Sequence, residues 1–165
     1  MKRVAASALL IAAVGVGATA LGAAAARHTT AARSITFHLV EKDHAFNFVD
    51  NPPRQGFKAA PLIGDQFAFT SDLLTRAGKR AGSLEATCMI TRGGVRGLGV
   101  CYGAFALKGG QIFGMGLIKF SGNAPDHIAI IGGTGAYERA SGDVLSVSRG
   151  ENSSFSDDTF HLVMP

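Results

Sequence analysis

Glu85 and Tyr102 are the pair of side chains whose types and spacing best suit acid–base chemistry. They lie in two apolar, strand-like runs, residues 82–91 and 98–107, separated by Gly93-Gly94. Folding the runs as a hairpin about Gly94-Val95 sets Thr87 opposite Tyr102 and brings Glu85 within diagonal reach of the phenol. A carboxyl group whose pKa is raised by burial can pass a proton, and a phenol can donate a hydrogen bond to a reacting oxygen. Ser83, Met89, Val100, Ala104 and Ala106 share their face. The opposite face, with Leu84, Ala86, Ile90, Gly103, Phe105 and Leu107, is at least as apolar. The spacing alone therefore leaves open whether the pair faces a cavity or solvent.

The same hairpin places Cys88 opposite Cys101, and these are the 2 cysteines of the chain. Facing Cβ atoms of an antiparallel pair come close enough for a disulfide, which is expected here as a structural bridge. Two cysteines are too few for a metal site. His28, His38, His44, His127 and His161 show no HxH, HxxH or HExxH spacing, so no metal centre is expected. No GxSxG turn exists to present a nucleophilic serine.

These residues must be positioned by β-structure. Residues 35–40, 66–74, 82–91, 98–107, 111–118, 127–131, 143–148 and 155–163 each read as a strand. Between them stand turn signals such as Gly78, Gly109-Gly110 and Gly122-Asn123. No segment sustains a helical period. The spacing predicts an all-β sandwich or closed antiparallel barrel, and eight strands suit a small barrel holding one ligand. Within 128–142, Gly132, Gly133 and Gly135 mark a sharp turn between two strands. A dinucleotide fingerprint is the competing reading, but Glu138 holds the position of its third glycine and too little chain follows for a Rossmann unit. Residues 41–63 read as irregular because Pro52, Pro53 and Pro61 interrupt pairing. With Phe46, Phe48 and Phe57 they form either a packed surface loop or a lid. Residues 111–118 are apolar on both faces, which predicts an outer wall packed against another subunit.

The first 26 residues carry Lys2 and Arg3, then an uncharged run ending in Gly22 and Ala23 to Ala26, the pattern of a cleaved signal peptide, with a retained membrane anchor as the alternative because the run is long enough to span a bilayer. Residues 27–34 follow as a flexible lead-in, and 35–165 as one barrel domain. A secreted protein, free of the membrane after cleavage, is the expected product. The formal charge is +4; without Lys2 and Arg3, 14 basic residues face 12 acidic ones, leaving +2. That is too weak for a nucleic-acid footprint, and no basic cluster with interleaved aromatics appears.

Residues 64–74 (GDQFAFTSDLL), then Gly78 and Gly82, a strand pair, Gly109-Gly110-Gln111-Ile112, and residues 130–137 (IIGGTGAY) with Gly142 resemble the allene oxide cyclase and dirigent protein family. The resemblance implies an eight-stranded antiparallel barrel, commonly a trimer, with an apolar cavity and no cofactor. Cyclases of this family close a fatty-acid epoxide, and dirigent proteins steer phenoxy-radical coupling. By resemblance, Asp72 corresponds to an acidic site residue of dirigent proteins. The arginine expected before the last glycine of the turn is Ser141 here, with Arg139 nearby on the same side; Ala136 stands where many dirigent proteins have an acidic residue. His38 and Val40 replace the first-strand glutamate and asparagine of plant cyclases, and Leu84 replaces their cysteine. The expected site is therefore Asp72, Glu85 or Glu41 as general acid or base, Tyr102 as hydrogen-bond donor and Arg139 as anion partner. The expected function is a cofactor-free cyclase, isomerase or stereo-directing protein for a small apolar or phenolic molecule. The alternative is a non-catalytic barrel that binds an apolar ligand or serves in the cell envelope. Converging buried ionisable groups would favour the first, and a filled or wholly apolar interior the second.

Overall fold

Alternation of apolar and polar side chains, broken by glycine turns, leaves the chain one way to bury its apolar residues: strands closed into a ring. The computed structural model describes residues 32–51, 60–94, 96–120, 124–150 and 153–165. The signal segment 1–26, most of the lead-in, and Pro52, Pro53 and Phe57 of the proline-rich stretch lie outside the described residues. The strands are β1 (Arg33–Val49), β2 (Gln66–Leu74), β3 (Arg80–Arg92), β4 (Leu98–Leu107), β5 (Gly110–Lys119), β6 (Asp126–Gly133), β7 (Ser141–Ser148) and β8 (Phe155–Met164). Each pairs antiparallel with its sequence neighbours, and β8 closes on β1 to form a barrel. Full closure removes the sheet edges that would otherwise invite aggregation. Among the described residues no helix is long and apolar enough to cross a membrane.

Strands β3 and β5 to β8 run one or two residues beyond the sequence reading, and β1 differs at both of its ends. The first strand does not stop at Val40. Residues 41–49, read above as irregular, continue β1 and pair with β2 as far as Val49 opposite Gln66. A register shift between Asp43 and Ala45 lets one long strand bend around the barrel, the usual effect of a bulge. The three prolines follow this extension and leave its ladder intact. At the other end, Arg33 and Ser34 pair with Met164 and Val163, so the lead-in becomes strand two residues before the expected Ile35.

The glycine-rich turn after β6 is a short 3-10 turn, Gly135–Tyr137, lying against the β4–β5 hairpin. Ala136 N–H donates to Gly109 O at 2.9 Å, and Thr134 N–H to Gln111 O at 2.8 Å. Gly135 has φ +59, and a Cβ there would run into the Gly109 carbonyl. Glycine is required both for the backbone conformation and for the close approach. This contact caps one end of the barrel.

Inside that end the lumen is solid. Leu39, Leu73, Leu84, Phe105, Ile112, Ile130, Val144, Phe160 and Leu162 form one buried cluster. Phe160 is its centre, stacked on Phe37 at 4.6 Å between ring centroids and edge-on to Phe105 at 5.0 Å. Toward the other end several inward positions are small or polar, and the barrel is hollow.

Cys88 and Cys101 are direct cross-strand partners and form a disulfide, with Cα atoms 4.0 Å apart. The bridge closes a sequence separation of 13 residues, so chain entropy gives it about 3 kcal/mol. The Cys88→Ala, Cys101→Ala double variant is expected to lose about that much stability by urea titration. Its loss should match that of the reduced wild type.

Candidate active site

The hollow half of the barrel encloses a cavity of about 320 Å3, at the small end of the roughly 300–1,000 Å3 range for ligand pockets. Alternation points the odd-numbered positions of β4 and of β1 up to its bulge, and the even-numbered ones of β3, β5 and β8, inward. The cysteine-bearing face of the β3–β4 hairpin is therefore the inner one. Gly103, Gly114 and Gly116 sit at inward positions where a Cβ would press on neighbouring backbone or side chains. Their lack of side chains leaves room beside Ala86 and the disulfide. Phe67, Phe69, Phe105, Ile118 and Phe120 supply most of the remaining apolar wall.

The opposite wall is polar. Four neighbouring strands each place one inward polar side chain near a common level: Ser71 on β2, Glu41 on β1, Asp158 on β8 and Ser146 on β7. Register explains the convergence. Leu39 lies opposite Asp158 and Asp43 opposite Ser71, so Glu41 is the diagonal neighbour of both. Ser146 is directly opposite Asp158. Ser71 Oγ donates to Glu41 Oε1 at 2.7 Å. Glu41 is 9% exposed and Asp158 2% exposed. Both Asp158 carboxyl oxygens are buried without a hydrogen-bond partner. Leu39, Leu73 and Phe160 lie just beneath, so the carboxyl pair forms the floor of the cavity.

Burial in this apolar setting raises the Glu41 carboxyl to about 8. The neighbouring Asp158 charge adds to the rise, while the Ser71 hydrogen bond opposes it. Asp158 is also raised by burial, to about 6, against the opposing pull of Ser146. Near neutrality the pair therefore holds one proton, mostly on Glu41. A carboxyl group poised in this range can give up a proton and take it back. Asp43 and the half-buried Asp126 stand nearer the mouth. Burial raises Asp126 too, against an opposing hydrogen bond from the Lys119 N–H. Among the described residues no cluster of His, Cys, Asp or Glu is arranged to hold a metal ion.

No family model matches the sequence, and no curated protein matches it. Solved structures do. The chain is similar to pyocyanin demethylase, at 25% identity and TM-score 0.65 over 78% of this chain and 99% of that one. It is similar to a pterocarpan synthase dirigent protein at 13% identity and TM-score 0.67, over 81% of this chain and 91% of that one. An exo-specific intermolecular Diels-Alderase matches at 13% identity and TM-score 0.60, over 81% and 99%. The fold is the allene oxide cyclase/dirigent-like barrel.

In this dirigent-like barrel the four residues singled out from sequence stand apart from the carboxyl pair. Glu85 and Tyr102 lie on the outer wall; Tyr102 is 57% exposed and also borders the cavity. They line a concave patch with Phe46, Phe113 and Ile131, and no hydrogen bond joins them. Asp72 also faces outward, where it meets Arg80 Nη2 at 3.1 Å. Such a partly exposed ion pair contributes little stability. Arg139 sits on the exposed turn after the 3-10 segment, with φ +60. Of the acidic residues considered from sequence, Glu41 is the one the dirigent-like fold brings to the cavity floor. Asp158 and both serines were missed. Their signal was the alternation in β8, which puts Asp158 on the same face as Phe160 and Leu162.

Proposed function

We propose that this protein is an exported, cofactor-free barrel that acts as a cyclase, isomerase or stereo-directing protein on a small apolar or phenolic molecule. Glu41 is the group that gives and receives the proton, Asp158 the charge that keeps it protonated, and Ser71 the donor that fixes its orientation. The observation carrying this reading is the buried Glu41–Asp158 pair at the floor of an apolar cavity. A barrel serving only to bind apolar ligands would have no need of two desolvated carboxyl groups on that floor. The names of the similar structures (a demethylase, a Diels-Alderase and a dirigent protein) support chemistry on small organic molecules.

The mechanism follows from the two unlike walls. The aromatic and glycine wall strips water from a flexible substrate and restricts it to few conformations, which lowers the entropy needed to reach a reactive geometry. The carboxyl floor then supplies a proton where negative charge develops, and recovers it afterwards. The leader and the disulfide support export.

Mass spectrometry of ligand retained by the purified protein, followed by turnover assays on that ligand, tests the reading. Glu41→Gln should lower turnover about 10²–10⁴-fold with little change in binding. Full turnover in this variant would overturn the assignment of Glu41.

We also propose that the outer face of β3 to β6 joins copies of the chain into a homo-oligomer, a trimer by the family resemblance. Met89, Tyr102, Met115, Leu117 and Ile131 lie there, all at least 43% exposed in the single chain. An apolar patch of this kind on a soluble barrel calls for a partner. In this reading Glu85 and Tyr102 belong to the subunit contact. Leu117→Glu is expected to shift the protein to monomer in size-exclusion chromatography with light scattering. An unchanged mass would place the contact elsewhere.

A further inference from the structure

We propose that the lumen selects an apolar molecule bearing a positive charge, such as a protonated amine or a cationic aromatic nitrogen, over neutral or anionic molecules of the same shape. This rests on the reading of the lumen as the ligand site and names the class of ligand it takes. Three observations carry it.

The first is the sign of the lining. Glu41, Asp43, Asp126 and Asp158 all border the cavity, and no Lys, Arg or His does so among the described residues. The chain as a whole is basic, with formal charge +4, so this acidic interior runs against its overall composition. A ligand carboxylate would meet an acidic wall and no basic partner. The second is Asp158. Its two oxygens are buried against the cavity with no hydrogen-bond partner. A desolvated carboxylate is costly unless a counter-charge reaches it, and beside Asp158 the cavity offers only the hydroxyl of Ser146 and the carboxyl of Glu41, with no basic side chain. A cationic N–H, or a cationic ring nitrogen, would complete it. The third is the ring cluster above the floor. Phe67 lies 5.3 Å from Phe46, 6.1 Å from Phe69 and 5.1 Å from Phe120, the last edge-on. Aromatic faces attract cations, most strongly where water is excluded.

Isothermal titration with three bicyclic probes tests this at pH 7.5: N-methylquinolinium (cation), quinoline (neutral) and 2-naphthoate (anion). The cation should bind roughly tenfold or more tightly than quinoline, as expected for an attraction of one to two kcal/mol. Naphthoate should bind more weakly than either. Asp158→Asn should bring the cation down to about the affinity that quinoline has for the same variant. Ala86→Phe, which fills the lumen, should abolish binding of all three. Quinoline or naphthoate binding as tightly as the cation, with Ala86→Phe still blocking, would overturn cation selection and leave the lumen as the site. Failure of every probe to bind, or binding insensitive to Ala86→Phe, would overturn the lumen reading together with this inference. Should Asp158→Asn fail to fold, Asp126→Asn and the ranking of the three probes on the wild type carry the same decision.

Discussion

Replacing Glu41 by glutamine is expected to make the protein more stable at pH 9, although it removes the proposed catalytic proton. In the folded protein the Glu41 carboxyl is raised from its ordinary value of 4.5 to about 8. The folded state therefore binds a proton more tightly than the unfolded chain does. A raised group contributes stability that is fully present below the unfolded value and is lost as pH climbs through the folded one. For Glu41 the loss runs from about pH 4.5 to about pH 8. Asp158, raised from 3.8 to about 6, adds a smaller loss of the same sign at lower pH. The two groups titrate as a pair, so their contributions do not simply add. The Glu41 shift alone amounts to about 5 kcal/mol, a large share of the stability of a single domain. Glutamine keeps the shape and does not titrate, so Glu41→Gln should flatten most of this dependence. Urea titrations at pH 5, 7 and 9 measure it. Parallel curves for wild type and variant would show that Glu41 ionises as freely in the barrel as in the unfolded chain. A buried group that weakens the fold at working pH is the trade-off expected of a functional site.

Phe160→Ala is expected to cost about 3–5 kcal/mol and to lower Tm by roughly 10 °C or more. Phe160 is fully buried and packs its ring on Phe37 and Phe105. It fills the centre of the closed ring, where the surrounding strands are held by hydrogen bonds on both sides. The wall cannot collapse into the void, so the cavity term should approach its full value. Thermal melts followed by circular dichroism check this. A loss below about 1 kcal/mol would mean that the solid end of the barrel relaxes, contrary to its packing. Phe160→Leu should recover much of the stability, because most of the buried volume returns.

The strand plan was largely legible in the sequence. Residues 66–74 and 98–107 match β2 and β4 in both bounds, and the direct pairing of Cys88 with Cys101 follows from the hairpin turn. Local signals sufficed because period-two alternation and glycine turns act within a few residues. The extent of β1 was not legible. Whether residues 41–49 pair depends on β2 offering a ladder, and nothing within the segment itself records that. The choice of inner face was also hidden. Both faces of the β3–β4 hairpin are apolar, one facing the lumen and one forming the exposed wall, so alternation could not rank them. Glu85 and Tyr102 therefore looked as promising as any pair. Glu41 and Asp158 each share a face with apolar residues of their own strand, Phe37 and Leu39 in one case and Phe160 and Leu162 in the other. That much could be read from alternation. Their meeting could not, because it depends on the first and last strands closing the ring.

Among the described residues, the solid end beneath Glu41 and the glycine contact beyond it close one end of the chamber and leave the other as its doorway. A molecule must back out by the route it came in, and a spent one bars the next arrival. Turnover should then be limited by departure, with added product competing directly against fresh reactant.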